Sequence, residues 1–236
     1  MIVLCDPSKS RLLVYSDDNQ YQINTKYKPH DITTLLGTNM VVVSSINSHN
    51  IQFIDIVRKN LCNEIHITGS ERGGVAASKT SLFVAGKGSI HVLNHQGHPV
   101  RKTKTKSENR TPLYITICSS GNICYSDDFS LYYIKPDGEE VFTYNSPDLR
   151  KAWGVTTDNH GNVYIVGRYS NNIHRLRPDG TFIDIILKDE DNIKYPITCC
   201  FHRNYRKFYV LNNNGGVISF FNVVLFVVTY AGIKST

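Results

Sequence analysis

Short apolar runs separated by polar turns fill the segment 154–187. The runs lie at Val155–Thr157, Val163–Val166, Ile173–Leu176 and Thr181–Leu187. Before the last run, Pro178-Asp179-Gly180 is typical of a tight turn, because proline presets φ and glycine readily adopts a positive φ. The pattern predicts four antiparallel strands in one sheet. Such a small sheet must stack against copies of itself to bury its faces.

The same pattern recurs along the chain with a nearly constant period. First-strand cores are predicted at Ile32-Thr33, Val75-Ala76, Ile115-Thr116, Val155-Thr156 and Ile197-Thr198, which lie 43, 40, 40 and 42 residues apart. Second and third strands and the turn before the fourth strand recur in register with them. A period near 40 with four strands in each repeat is typical of a β-propeller. We therefore predict an all-β fold, a six-bladed β-propeller of four-stranded antiparallel blades, with an incomplete N-terminal blade.

The repeats predict one propeller domain over residues 1–222. Its partial blade covers 1–25, and the full blades cover about 29–67, 73–104, 113–144, 154–187 and 195–222. The chain starts inside a blade, and this start suggests a fragment. The apolar tail 223–236 either closes the ring or ends the last blade, and the sequence leaves both options open. Its Val and Phe content favours a strand over a membrane helix.

Composition and charge add few constraints. The chain has 236 residues, of which 41% are hydrophobic, and a formal net charge of +6, which permits an acidic partner without requiring one. The six cysteines lack a CxxC pair or a zinc-ligand spacing, so we expect reduced thiols, mostly in the core, and a cytoplasmic location. Cys118 and Cys124 are predicted on neighbouring strands, where a bridge is possible but not expected.

Two blades carry a recognisable motif. Gly161-Asn162-Val163-Tyr164-Ile165 and Gly121-Asn122-Ile123-Cys124-Tyr125 each precede an Asp-Gly turn, at Asp179-Gly180 and Asp137-Gly138. These segments resemble the NHL repeat, and the whole chain resembles the C-terminal NHL-type propeller of invertebrate tripartite-motif proteins. The blades at 29–67 and 73–104 depart from the motif, because they lack the Gly-Asn before the second strand.

The resemblance implies a recognition module. In tripartite-motif proteins a RING finger, B-boxes and a coiled coil precede the propeller, which recognises the substrate of an E3 ubiquitin ligase. This chain contains no RING or B-box ladder of cysteines and histidines. Any ligase activity would therefore need a domain absent from this sequence, and we expect no enzyme activity of the chain itself.

Residues for chemistry are scarce at the positions where propeller enzymes carry them. The pairs flanking the inner strands are His30-Asp31, Gly73-Gly74, Leu113-Tyr114, Trp153-Gly154 and Tyr195-Pro196. One acid, Asp31, cannot supply the oxygens that calcium requires, which argues against a lactonase-like enzyme. His91, His95 and His98 do not share one face of a regular element. We predict no catalytic residue, no metal site and no cofactor.

Loops that join second to third strands, and loops that link blades, are predicted to share one face of the propeller. Basic and aromatic residues in these loops are the predicted ligand-binding residues: Arg72, Lys87, Lys104, Lys106, Arg110, Arg150, Lys151, Trp153, Arg168 and Tyr169. We expect a protein partner on this face. RNA is the alternative, favoured by the KTKTK run at 102–106 and opposed by interspersed acids. We expect no DNA binding and no membrane binding. The identity of the partner stays open.

Overall fold

Every regular element of the described chain is a β-strand or a short 3₁₀ turn. The computed structural model describes residues 1–16, 19–106, 108–224 and 227–235, with side chains described as far as residue 223. Its strands form six antiparallel sheets, one of three strands and five of four. The protein is thus an all-β, six-bladed β-propeller, as its repeats predict. Among the described residues no helix is long and apolar enough to cross a membrane.

Two compact units, Met1–Tyr114 and Ile115–Thr236, divide the chain. The first holds three sheets: β1 Ile2–Asp6, β2 Arg11–Tyr15 and β3 Gln20–Asn24; β4 Pro29–Thr34, β5 Met40–Ser45, β6 Asn50–Asp55 and β7 Asn60–His66; β8 Val75–Ala77, β9 Leu82–Gly86, β10 Ser89–Leu93 and β11 Pro99–Lys104.

The second unit also holds three sheets: β12 Tyr114–Ile117 (whose first residue belongs to the first unit), β13 Ile123–Ser126, β14 Leu131–Ile134 and β15 Glu140–Tyr144; β16 Ala152–Thr157, β17 Val163–Gly167, β18 Asn172–Leu176 and β19 Phe182–Leu187; β20 Thr198–Phe201, β21 Lys207–Asn212, β22 Val217–Val224 and β23 Val227–Ser235. Two 3₁₀ turns lie at Asp189–Asp191 and Asn213–Gly215.

Burial follows each strand's position in its blade. All five residues of β9 and of β17 are buried, whereas β7 and β15 contain no buried residue. A strand covered on both faces needs an unbroken apolar run, and an outer strand does not. The core therefore lies between successive sheets of a unit. In the second unit it contains Phe208 and Phe221, both fully buried, and each contributes about 1.5–3 kcal/mol.

The tail strand pairs within the last sheet. β23 runs antiparallel to β22, from Val217 opposite Ser235 to Val224 opposite Val227. Val223 and Val224 belong to β22, so the boundary expected at residue 223 falls inside a strand. The sequence leaves two options open for the tail, which either closes the ring or ends the last blade. The pairing with β22 makes β23 the outer strand of the last blade.

The Pro-Asp-Gly turn forms as its sequence predicts. Gly180 has φ +90, a left-handed value that glycine adopts without strain, and its N–H donates to the carbonyl oxygen of Arg177 at 3.0 Å. Asp179 Oδ1 accepts the N–H of Thr181 at 2.9 Å. These residues build the β18–β19 connection, so their repetition along the chain reflects architecture.

Candidate functional site

The ten predicted ligand-binding residues divide equally between the two units. Arg72, Lys87, Lys104, Lys106 and Arg110 belong to the first, and Arg150, Lys151, Trp153, Arg168 and Tyr169 to the second. The sequence predicts all ten in loops, but two of them lie in strands. Lys104 is the last residue of β11 and pairs with Ser89, and Trp153 is the second residue of β16.

The second-unit residues come together around the indole of Trp153. The Arg168 guanidinium carbon lies 3.9 Å from the centre of the Trp153 ring system, a close cation–π contact. Arg168 also lies 5.7 Å from the ring centre of Tyr169, and the side chain of Arg150 donates to the carbonyl oxygen of Tyr169 at 3.0 Å. These contacts join the end of one inner strand to the β17–β18 loop.

A single carboxylate, that of Asp128, accepts hydrogen bonds from two residues of this cluster. Asp128 accepts the indole N–H of Trp153 at 2.6 Å through Oδ1 and the ammonium of Lys151 at 2.8 Å through Oδ2. The backbones of Asp128 and Lys151 adopt left-handed φ values of 79 and 65. Such backbone strain in non-glycine residues gathers at ligand sites. Two backbone hydrogen bonds between Asp128 and Ala152, one in each direction, join the two segments.

A second group of polar side chains lies in the first unit, where β4 meets β8. His30 and Asp31 occupy the irregular part of β4, where the register with β5 shifts between Pro29 and Ile32. A bulge of this kind re-aims side chains and is common beside active sites. Both residues keep partial exposure to solvent. The Asp31 carboxylate accepts the N–H of Ile32 and the N–H of Val75, each at 2.9 Å, and so bridges the two sheets.

Burial changes the protonation of both groups, in opposite directions. It lowers the pKa of His30 to about 4, and the positive charge of Arg72 acts in the same direction. Burial raises the pKa of Asp31 to about 7, against the opposing effect of the two hydrogen bonds from Val75 and Ile32. A neutral imidazole and a neutral carboxylic acid can therefore coexist here between about pH 4 and about pH 7.

The ring of Tyr114 lies beside the ring of His30. The Tyr114 ring centre lies 5.4 Å from the His30 ring centre, and His30 Nδ1 is buried without a hydrogen-bond partner among the described residues. Arg72, one of the predicted residues, adopts a left-handed φ of 55, and its N–H donates to the carbonyl oxygen of Ser45 at 2.8 Å. Burial and the nearby Asp31 raise the pKa of the Cys5 thiol, which therefore stays neutral over the same pH range.

The raised pKa of Asp31 predicts a pH-dependent stability cost. Between about pH 4 and pH 7 the folded state holds a proton on Asp31 that the unfolded state has lost, so stability falls as pH rises. The Asp31→Asn variant has no titrating group at this position, whereas His30 titrates in both proteins. We expect the free energy of unfolding of the wild type, relative to Asp31→Asn, to fall by about 3 kcal/mol from pH 4.5 to pH 7.5. Urea unfolding at both pH values measures it, and a difference independent of pH would contradict the assignment.

From the sequence, His30 and Asp31 are predicted only to flank an inner strand, and no catalytic residue is predicted. A signal was present, because theirs is the one flanking pair that holds two ionisable side chains. With one acid the pair argues against a calcium site, but it does not argue against acid–base chemistry. The charge of Arg72 also lowers the pKa of His30, and the N–H of Val75 opposes the rise in the pKa of Asp31; both residues are distant in sequence.

The remaining candidate sites are metal-ligand groups, cavities and cysteines. No group of three or more His, Cys, Asp and Glu side chains that could hold a metal ion occurs among the described residues. A cavity of about 30 Å³ lined by Asp158, Tyr164 and Arg175 has room for one water molecule. All six cysteines are free, with Cys118 Sγ and Cys124 Sγ 3.4 Å apart. Contrary to the expectation of mostly core thiols, Cys62 and Cys200 are exposed.

Comparison with known proteins identifies the fold alone. No family model matches the chain, and no curated protein matches it. Among solved structures it is similar to a streptogramin B lyase, with 12% identity and a TM-score of 0.74 over 99% of this chain and 80% of that one. It is also similar to a catalytically inactive virginiamycin B lyase from Staphylococcus aureus with quinupristin, with 13% identity and a TM-score of 0.69 over 94% and 77% of the two chains.

A third structure with this fold belongs to a mitotic checkpoint complex. It shares 9% identity with this chain and has a TM-score of 0.72, over 99% of this chain and 74% of that one. The fold therefore serves in protein assemblies as well as in enzymes.

These structures correct the functional expectation. The predictions of a non-catalytic recognition module, whether for a ligase substrate or for RNA, and of no enzyme activity are wrong, because the similar structures include lyases. A propeller fold does not determine the function of a chain, since one fold hosts many functions. The NHL and tripartite-motif resemblance rests on motif residues alone.

Proposed function

We propose that this chain is a propeller enzyme of the lyase class, which breaks a bond to carbon by moving protons with His30 and Asp31. The observation that carries the proposal is the pair of opposed pKa values, about 4 and about 7, on neighbouring residues of one irregular strand. Groups whose environments drive their pKa values in opposite directions mark the acid and the base of a site. The similarity in fold to streptogramin B and virginiamycin B lyases supports the same class.

Each group has one role in this proposal. His30 Nδ1 is buried, so we assign its other ring nitrogen, Nε2, as the base that takes a proton from carbon. The electron pair of that C–H bond becomes a double bond, and the leaving atom departs with the electrons of its own bond to carbon. Protonated Asp31 supplies the proton that the leaving atom needs. Arg72, whose charge reaches His30, stabilises the negative charge that develops.

A bell-shaped pH profile is expected. Activity rises as His30 loses its proton through about pH 4 and falls as Asp31 loses its proton through about pH 7. The first substrate to test is quinupristin, and liquid chromatography with mass detection measures its conversion between pH 3.5 and 8.5. A rate that continues to rise through pH 7 would contradict the assignment of Asp31 as the acid.

The two protonation states can also be tested without a substrate. Carbon-detected NMR of the His30 ring and of the Asp31 carboxyl gives both pKa values directly. We expect midpoints near 4 and near 7. If His30 titrates near 6.5 and Asp31 near 4, as free side chains do, the proposed site has no special acid–base chemistry. Failure to convert quinupristin, with both shifted midpoints present, would reject that substrate but leave the site in place.

Three finer assignments are proposals as well. We propose NHL-type blades, supported by the Gly-Asn before β13 and β17 and by the two Asp-Gly turns. A cytoplasmic location is supported by the free cysteines, which suit a reducing compartment. A protein partner is supported only by the use of this fold in the mitotic checkpoint complex.

A further inference from the structure

The cluster around Trp153 carries more positive charge than its own groups neutralise. Lys151 is paired with Asp128 at 2.8 Å, and the second oxygen of that carboxylate accepts the Trp153 indole N–H. Arg150 and Arg168 form no ion pair among the described residues; their guanidinium groups contact a carbonyl oxygen and a side-chain amide oxygen. The face therefore presents two guanidinium groups without a carboxylate, and these groups favour an anion.

Arg168 is already held in one place. Its guanidinium stacks on the Trp153 ring at 3.9 Å, and Nη2 donates to Asn214 Oδ1 at 2.8 Å. Its Nε is buried and has no hydrogen-bond acceptor among the described residues. An arginine that is fixed before binding loses little side-chain entropy when an anion arrives.

An exposed aromatic ring lies beside Arg168 and Lys151. Tyr169 is 52% exposed, and its ring centre lies 5.7 Å from the Arg168 guanidinium carbon and 5.9 Å from Lys151 Nζ. A second flat ring stacked on Tyr169 would hold a short anionic substituent within reach of Arg168. Neutral rings without an anionic group, and anions without a ring, would each use only part of this surface.

We propose that the face formed by Lys151, Trp153, Arg168 and Tyr169 binds a small organic anion that carries a flat ring. The ring stacks on Tyr169, and the carboxylate or phosphate contacts the guanidinium of Arg168. The whole face lies in the second unit and uses none of the residues assigned to acid–base chemistry. Binding here can therefore be tested without any assay of enzyme activity.

The chain's single tryptophan makes the test direct. In ¹⁵N-labelled protein the only indole N–H signal belongs to Trp153. Four probes separate ring from charge: benzoate and phenyl phosphate have both, cyclohexanecarboxylate has the charge without a flat ring, and benzyl alcohol has the ring without the charge. We expect at least one of the two aromatic anions to shift the indole signal saturably, with a Kd on the order of 1 mM. The other two probes should bind about tenfold more weakly or not at all.

Comparing benzoate with phenyl phosphate shows which anionic group is preferred. Binding should weaken as sodium chloride is added, because the contact between the anion and Arg168 is screened by salt.

Two variants locate the site and one controls for it. Arg168→Gln and Tyr169→Ala should each weaken binding at least about fivefold, and Tyr169 is exposed enough that its loss leaves the fold intact. The matched control is Arg177→Gln, an exposed arginine in the Arg177–Gly180 turn, and this variant should bind as the wild type does. The proposal is overturned if neither aromatic anion shifts the indole signal, if cyclohexanecarboxylate binds as well as benzoate, or if Arg177→Gln loses as much affinity as Arg168→Gln.

Discussion

Replacing His30 with glutamine is expected to reduce kcat/KM for a converted substrate by about 10²–10⁴-fold at pH 5.5. Glutamine is close in size to histidine and keeps a polar group beside Tyr114, but it cannot accept a proton near neutral pH. The loss should fall on kcat more than on KM, because the base acts in the transition state. Initial rates at several substrate concentrations measure both.

The control for this change is a histidine in the same unit that lies away from β4. His98 is exposed in the loop that leads into β11, so His98→Gln should leave the rate unchanged. Equal unfolding midpoints for the wild type and His30→Gln establish that a lower rate reflects lost chemistry. If His30→Gln keeps a rate within about twofold of the wild type, the ring is not the base and the acid–base proposal fails.

Replacing Gly154 with alanine is expected to lower the free energy of unfolding by at least about 3 kcal/mol. A Cβ atom at this position would lie 2.3 Å from the Thr198 Cα, which belongs to the backbone of β20 and cannot rotate away. The same approach brings the Gly154 N–H to 3.0 Å from the carbonyl oxygen of Ile197. The added methyl group would push apart the inner strands of two neighbouring blades. Urea unfolding followed by circular dichroism measures the change.

A second glycine separates this crowding from the cost of backbone conformation. Gly121 has φ +84, and a Cβ there would meet nothing within 4 Å, so Gly121→Ala should cost only about 1 kcal/mol. The two substitutions thus lower the free energy of unfolding by different amounts and for different physical reasons. If Gly154→Ala is no worse than Gly121→Ala, the close approach of β16 and β20 is not a constraint on the fold.

The blades could be predicted because their signals are local. The apolar run that becomes β17 and the Asp179-Gly180 turn are set by neighbouring residues, and each recurs with the period of the blade. Strand ends were harder to predict. Trp153 lies in β16 instead of a loop because a bulge between Ala152 and Val155 lets that strand begin earlier than its apolar core.

The proposed acid–base site could not be predicted from these signals. The pKa of a carboxyl group such as Asp31 depends on what covers it, and here the cover includes a strand that begins at Val75, more than 40 residues away. The Trp153 cluster could be predicted only in part. Its cations and rings are predicted from the sequence as ligand-binding residues, which stays a prediction, whereas the contacts of Asp128 with Trp153 and Lys151 are not predicted.

The hydrogen bond from Val75 to Asp31 gives the proposed catalytic proton a mechanical effect. An ionised carboxylate attracts that N–H more strongly than a carboxylic acid does, so the proton that prepares Asp31 to act as an acid also loosens the link between β4 and β8. This hydrogen bond is therefore strongest above pH 7, where burial of the ionised carboxylate makes the folded state as a whole least stable. The proposed activity and the strength of this link between β4 and β8 would then both follow the titration of Asp31.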